Sequence, residues 1–310
     1  MGTPLLWVAF NLFVLLALAL DLGVFHRKAH KIQIREAAIW SAVWIGLAVG
    51  FGYFVWHWHG SDRGLEYFTG YIIEKALSVD NLFVFLVIFR AYHVPEEVQH
   101  RVLAWGILGA LAMRGIMIAV GAEMIARFHW VLPAFGVFLF YTGVQMLRKR
   151  DKEVHFEKNP VFRFASTHLP VTNEYRGAHF FLREEGRFLA TPLLLVLLIV
   201  EITDVTFAVD SIPAIFGITR DSFIVYTSNV FAILGLRALY FLLADVLMYF
   251  RFLGIGLALV LIFIGAKMVA EPWLHVSIIP SLIAVGGILG VAMVASLLAG
   301  AAKTDRPQSS

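Results

Sequence analysis

The sequence predicts an all-α polytopic membrane protein, one transmembrane domain over 1–310, and three observations carry that prediction. Of the 310 residues, 60% are hydrophobic and only 15% are charged, with a mean hydropathy of +0.79. A water-soluble domain cannot hide so much apolar surface. Nine apolar stretches follow one another, each about long enough to cross a ~30 Å hydrocarbon core at ~1.5 Å per residue. Inside two of them one acidic motif is written twice, as Glu74-Lys75-Ala76-Leu77-Ser78-Val79-Asp80-Asn81 and as Asp204-Val205-Thr206-Phe207-Ala208-Val209-Asp210-Ser211. A carboxylate in hydrocarbon costs at least a few kcal/mol, so an acid placed there marks a functional site by default.

The first stretch, 4–25, has the length of a secretory leader, with Ala17-Leu18-Ala19 as a conceivable cleavage site. No basic residue precedes it, and Arg27 and Lys28 follow directly, so a retained helix is expected. A second peripheral helix is predicted over 37–57. Helices over 66–90, 102–125 and 131–148 form a first unit. The polar segment 149–190 follows, and within it His179–Leu189 reads as a hairpin with Gly186 in the turn. Helices over 191–217, 223–248 and 252–270 form a second unit, and a last peripheral helix covers 276–299.

Basic residues orient these spans. With the N-terminus outside, the inner side holds Arg27, Lys28, Lys31, Arg35, Arg90, Arg101, nine bases over 148–190, Arg251, Lys303 and Arg306. Only Arg63, Arg127, Arg220 and Lys267 fall outside. The positive-inside rule then places the N-terminus outside and the C-terminus and 149–190 inside.

The two units match beyond the acidic motif. Ile107-Leu108-Gly109 recurs as Ile233-Leu234-Gly235, and Gly143-Val144-Gln145-Met146 recurs as Gly265-Ala266-Lys267-Met268. Three spans per unit is an odd number, so 66–148 and 191–270 are expected to be an inverted 3+3 repeat. The two motif helices should then lie antiparallel and in contact, with Glu74 level with Asp210 and Asp80 level with Asp204. Six residues on a helix turn through about 240°. The two acids of one motif must therefore face different partners, or the helix must unwind between them. Pro213 is the residue expected to loosen the second copy.

Glu74, Asp80, Asp204 and Asp210 are the principal candidate metal ligands, with Asn81, Glu201 and Ser211 in support. The competing reading pairs the acids with the interior bases Lys75, Arg114 and Arg237. Those bases are too few, because Asp21, Glu123, Glu201 and Asp245 also lie in or beside spans. Buried pairs are in any case seldom worth their desolvation as scaffolding. Arg114 and Arg237 are expected to tether helices or neutralise the site, not to touch cargo. Oxygen donors suit hard divalent ions such as Mg, Ca and Mn. Cysteine is absent, which removes thiolate ligands and disulfides together. No phosphate-binding Gly-rich loop and no His-Glu-x-x-His motif is present, so neither an ATPase nor an enzyme is expected, and no cofactor. The net charge of +3 lies in loops and does not point to nucleic acid. The expected partners are the lipid bilayer, a divalent metal ion, and protons as a coupling ion.

Three segments resemble the TerC family: Glu74 through Val84, Glu201 through Phe216, and Ser228 through Phe241. The resemblance runs through the ninth span and is strongest to the Alx-type inner-membrane proteins of bacteria. It implies manganese export linked to alkaline pH or metal stress, at the bacterial inner membrane. Older labels on the family are tellurium resistance and membrane-bound redox modulation; a cysteine-free chain suits the redox label poorly. A calcium or other divalent cation/proton exchanger is the alternative, as is a non-transporting scaffold in tellurium resistance or envelope stress.

Overall fold

The computed structural model describes residues 2–23, 33–148, 171–172, 175, 177–184, 187–243, 252–271, 273 and 277–304. Five helices precede the polar segment: α1 (Pro4–Gly23), α2 (Ile34–His59), α3 (Ser61–Ala91), α4 (Glu96–Arg127) and α5 (Val131–Arg148). A hairpin of β1 (Phe181–Glu184) and β2 (Arg187–Ala190) follows. Then come α6 (Pro192–Phe216), α7 (Ser222–Leu234), α8 (Leu236–Leu243), α9 (Leu253–Ala270) and α10 (Ile278–Thr304).

Local chemistry sets the ends of these elements. Gly60, at φ 92°, separates α2 from α3 in a backbone conformation that a Cβ disfavours. Pro192 opens α6, where its missing N–H costs nothing. Asp221 caps α7, its carboxylate accepting from the Phe223 and Ile224 amides at 3.0 and 3.4 Å. The hairpin forms as expected, antiparallel with Phe181 opposite Ala190; Gly186 lies outside the described residues.

Among the described residues six helices are long and apolar enough to cross a membrane, α2, α4, α5, α6, α9 and α10, and α7 with α8 would make a seventh. Nine were expected. Within the described residues the apolar run of α1 is Pro4–Leu20, and α3, at 31 residues, carries Glu74, Lys75 and Asp80 through its middle. The span expected over 223–248 is bent by 42° at Gly235, between α7 and α8, and 244–251 lie outside the described residues. A Cβ at Gly235 would lie 3.1 Å from Lys75 Nζ and 3.2 Å from Trp44 Cβ, so a side chain at the break would be crowded from two sides. The loosening expected at Pro213 is absent: α6 runs helically through it to Phe216. Packed neighbours re-satisfy what a proline frees within a span, and the irregular backbone falls at Gly235 instead.

The helix α3 is central, packing on α2, α6, α7 and α10, while α4 packs on α6 and α7, and α5 on α9. The α5–α9 seam is close because its glycines let backbones approach. A Cβ on Gly143 would lie 2.7 Å from the Ala258 carbonyl, and one on Gly265 would lie 2.6 Å from the Gly136 carbonyl. Met268 packs against Gly136 and Gly217.

Polar latches gather at the two ends of the bundle. At one end the Tyr175 hydroxyl donates to the Tyr92 carbonyl at 2.7 Å, and Arg101 lies 5.5 Å from the centre of the Phe180 ring. Burial pushes the Tyr175 phenol up to about 12, so it remains a donor at any physiological pH. At the other end Glu66 accepts from Arg63 at 2.8 Å and from Thr219 at 2.6 Å, and Arg220 pairs with Glu271 at 2.5 Å. The Glu66–Thr219 bond ties the start of α3 to the segment just after α6, which fixes these two helices as antiparallel and in contact.

Candidate functional site: a guanidinium among buried acids

The site lies where α3, α4, α6 and α7 meet. Glu74 is about 20 Å along α3 from Ser61, and Asp204 is about 18 Å from either end of α6, at ~1.5 Å per residue. Both therefore sit near mid-depth of the bundle. Neighbouring helices leave Glu74 0%, Arg114 1%, Asp204 4%, Ser211 1% and Asn229 0% exposed.

Arg114 of α4 organises the cluster. Its Nε and Nη2 donate to the two carboxylate oxygens of Asp204, at 3.2 and 3.0 Å. Its Nη1 donates to Glu74 Oε1, and also lies 3.5 Å from Ser211 Oγ and 3.4 Å from Asn229 Oδ1. One fixed planar fork thus joins four helices, a geometry that arginine supplies and lysine does not. Formally, one positive charge faces two negative ones. Among the described residues, four buried polar atoms in or beside this cluster have no hydrogen-bond partner: Glu74 Oε2, Ser78 Oγ, Asn81 Nδ2 and Asn229 Nδ2. Glu74, Ser78 and Asn81 are spaced i, i+4 and i+7, so they share one face of α3.

The candidate ligands separate into groups. Glu74, Asp204 and Ser211 come together on Arg114, and Asn81 is buried on the Glu74 face of α3. Asp210 is half-buried and within hydrogen-bonding reach of Thr142 on α5. Glu201 presses against α4, where a Cβ on Gly109 would fall 2.1 Å from its Oε1. The helix α3 carries Asp80, whose side chain lies outside the described residues. Among the described residues no three His, Asp or Glu side chains converge on a point that could hold a metal.

Two expectations are refined here. Nη1 meets both Glu74 and Ser211, so Glu74 does sit close to the depth of residue 210. The direction differs: Asp210 is one residue, about 100°, round the helix from Ser211 and turns to α5. Glu74 instead shares its base with Asp204. The two acids of the second motif therefore face different helices, one of the two outcomes that the six-residue step allowed, and α6 stays wound between them. Arg114 tethers helices, as expected of it. Among the described residues Lys75 forms no ion pair, its ammonium donating instead to the Ala232 carbonyl at 3.1 Å. Sequence reasoning missed Asn229. The polar triplet Thr227-Ser228-Asn229, in the middle of an otherwise apolar span, was the available signal.

The model of the integral membrane protein TerC family matches residues 59–307. The chain belongs to the TerC family. An uncharacterized membrane protein of Myxococcus xanthus is 52% identical over 96% of this chain and 93% of its own length. Alx of Escherichia coli K12 is 47% identical over 93% of this chain and 92% of its own. Alx of Salmonella typhi is 46% identical over 94% of each. Both Alx proteins are described as proposed membrane-bound redox modulators. No solved structure matches. The matched region of this TerC chain contains all five residues of the Arg114 cluster, together with Asp80, Asn81, Glu201 and Asp210.

Proposed function

We propose that this TerC protein is a secondary transporter that exports divalent manganese across the bacterial inner membrane, with its N-terminus outside and its C-terminus inside. The observation that carries the reading is the pair of mid-depth carboxylates, Glu74 and Asp204, which hold a single base between them beside unpartnered buried polar atoms. Buried charge that outnumbers its partners is costly, and membrane proteins retain it along ion pathways. Carboxylate, hydroxyl and amide oxygens are hard donors that fit manganese, magnesium or calcium; the choice of manganese comes from the family resemblance.

An inverted 3+3 repeat is supported by the α5–α9 seam. The shift along the chain that carries Gly143 to Gly265 also carries Gly136 to Ala258. The contacts Gly143 to Ala258 and Gly265 to Gly136 are therefore exchanged, as an in-plane two-fold axis would exchange them. Alternating access then moves one unit against the other around the central acids. A carboxylate must shed its proton to ligate a metal, so protons compete at the site and serve as the counter-ion. No catalytic step is part of this reading. A redox role of the kind named for the Alx relatives has no thiol in this chain to carry it.

The test is flux into proteoliposomes containing the purified protein, with Mn²⁺, Ca²⁺, Mg²⁺ and Zn²⁺ compared under imposed pH gradients. Mn²⁺ movement that follows the gradient, and is lost in Asp80→Asn, is expected. Preference for Ca²⁺ would favour the calcium exchanger, and absence of any metal flux would favour the scaffold.

A further inference from the structure

We propose that Arg114 is a tethered counter-cation that competes with the transported ion for Glu74 and Asp204. The inference rests on the divalent-cation reading above. The guanidinium occupies the oxygen set a cation would use: both oxygens of Asp204, Oε1 of Glu74, and the Ser211 and Asn229 oxygens at longer range. Those donors come from α3, α6 and α7, whereas Arg114 comes from α4. It bonds across to the others without belonging to them.

Arginine keeps its charge at every accessible pH, so this competitor is removed only by movement. Charge counting makes the two cations exclusive. Glu74 and Asp204 with a divalent ion are neutral, and with Arg114 they carry one negative charge. All four together leave a positive charge in the bundle interior, where desolvation penalises it.

The geometry also gives an order of release. Asp204 is held by two nitrogens in a fork, the stronger arrangement, and Glu74 by one nitrogen that is shared. Glu74 Oε2 has no partner, and Ser78 Oγ, one turn along the same face of α3, has none either. The ion therefore takes Glu74 first, and Arg114 withdraws toward Asp204. When the ion departs, Arg114 returns, so both carboxylates are never left unpaired. That return lets the carrier reset without cargo, which separates net export from ion-for-ion exchange.

Mn²⁺ binding to purified protein at pH 8 tests this, with wild type, Arg114→Met and Arg114→Lys compared. Removing a competitor that makes charge-assisted bonds should tighten Mn²⁺ binding by about tenfold or more in Arg114→Met. Arg114→Lys keeps the charge but not the fork, and should fall between the other two. It decides the matter on its own if Arg114→Met does not fold. In proteoliposomes, the variant that binds more tightly should retain Mn²⁺/Mn²⁺ counterflow while losing net export. Affinity that is unchanged or weaker in the folded variants overturns the proposal. A wild-type protein that neither binds nor moves Mn²⁺ overturns the parent reading instead.

Discussion

Both carboxylate oxygens of Asp204 are taken by Arg114, at 3.0 and 3.2 Å, in a place that leaves the residue 4% exposed. Removing one partner of such a pair strands the other charge, at a cost of about 3–5 kcal/mol. Asp204→Asn is therefore expected to destabilise the protein by that order, read as a fall in thermal midpoint in detergent. Asp210, six residues on, is half-buried against Thr142, and among the described residues it forms no ion pair. Asp210→Asn should stay within about 1 kcal/mol of wild-type stability, since it strands no charge, yet reduce Mn²⁺ flux. Equal stability losses at the two positions would make both acids scaffold, and the transport reading would lose both as ligands.

Between elements, what a substitution costs depends on whether backbone or a flexible side chain stands in the way. A Cβ on Gly265 would meet Phe140 N at 2.5 Å and Gly136 O at 2.6 Å, backbone atoms of α5 that cannot step aside. Gly265→Ala must push α5 and α9 apart, and about 1–3 kcal/mol or more of destabilisation is expected. Gly50 on α2 has nothing within 4 Å of its would-be Cβ. Gly50→Ala should change stability by less than about 0.5 kcal/mol, because no contact is made or lost. The same melting measurement reads both, and an indifferent Gly265→Ala would remove the tight seam on which the inverted-repeat argument leans. Gly109 is an intermediate case, since what it faces is the mobile end of Glu201.

For the whole molecule, the two latched ends make opposite predictions about which side of the membrane each faces. Phe181 on β1 is 57% exposed at one end, and Trp273 is 81% exposed beyond α9 at the other. The chain has no cysteine of its own, so single replacements report without background. Phe181→Cys should react with a membrane-impermeant thiol reagent only once the inner face is opened, and Trp273→Cys should react in intact cells. The reverse pattern would overturn the orientation read from the basic residues.

The sequence by itself determined the class of protein, the positions of the acidic motif, the hairpin and the turn of about 240° between Asp204 and Asp210 that holds while the helix stays wound. Each is a local property: composition against water, the turn angle of a helix, the chemistry of a turn. It also showed Arg114 to be an interior base, because so few bases lie away from the loops. Only the tertiary structure decided that Arg114 joins Glu74 to Asp204, that Asn229 completes the cluster, and that the backbone breaks at Gly235 and not at Pro213. These depend on how four helices are rotated about their own axes and on what stands opposite. Lys75 and Trp44, which crowd Gly235 from two other helices, are not written near it in the chain. Helix rotation is fixed by packing between residues far apart in sequence, and a 3.6-residue period constrains where side chains point only relative to one another.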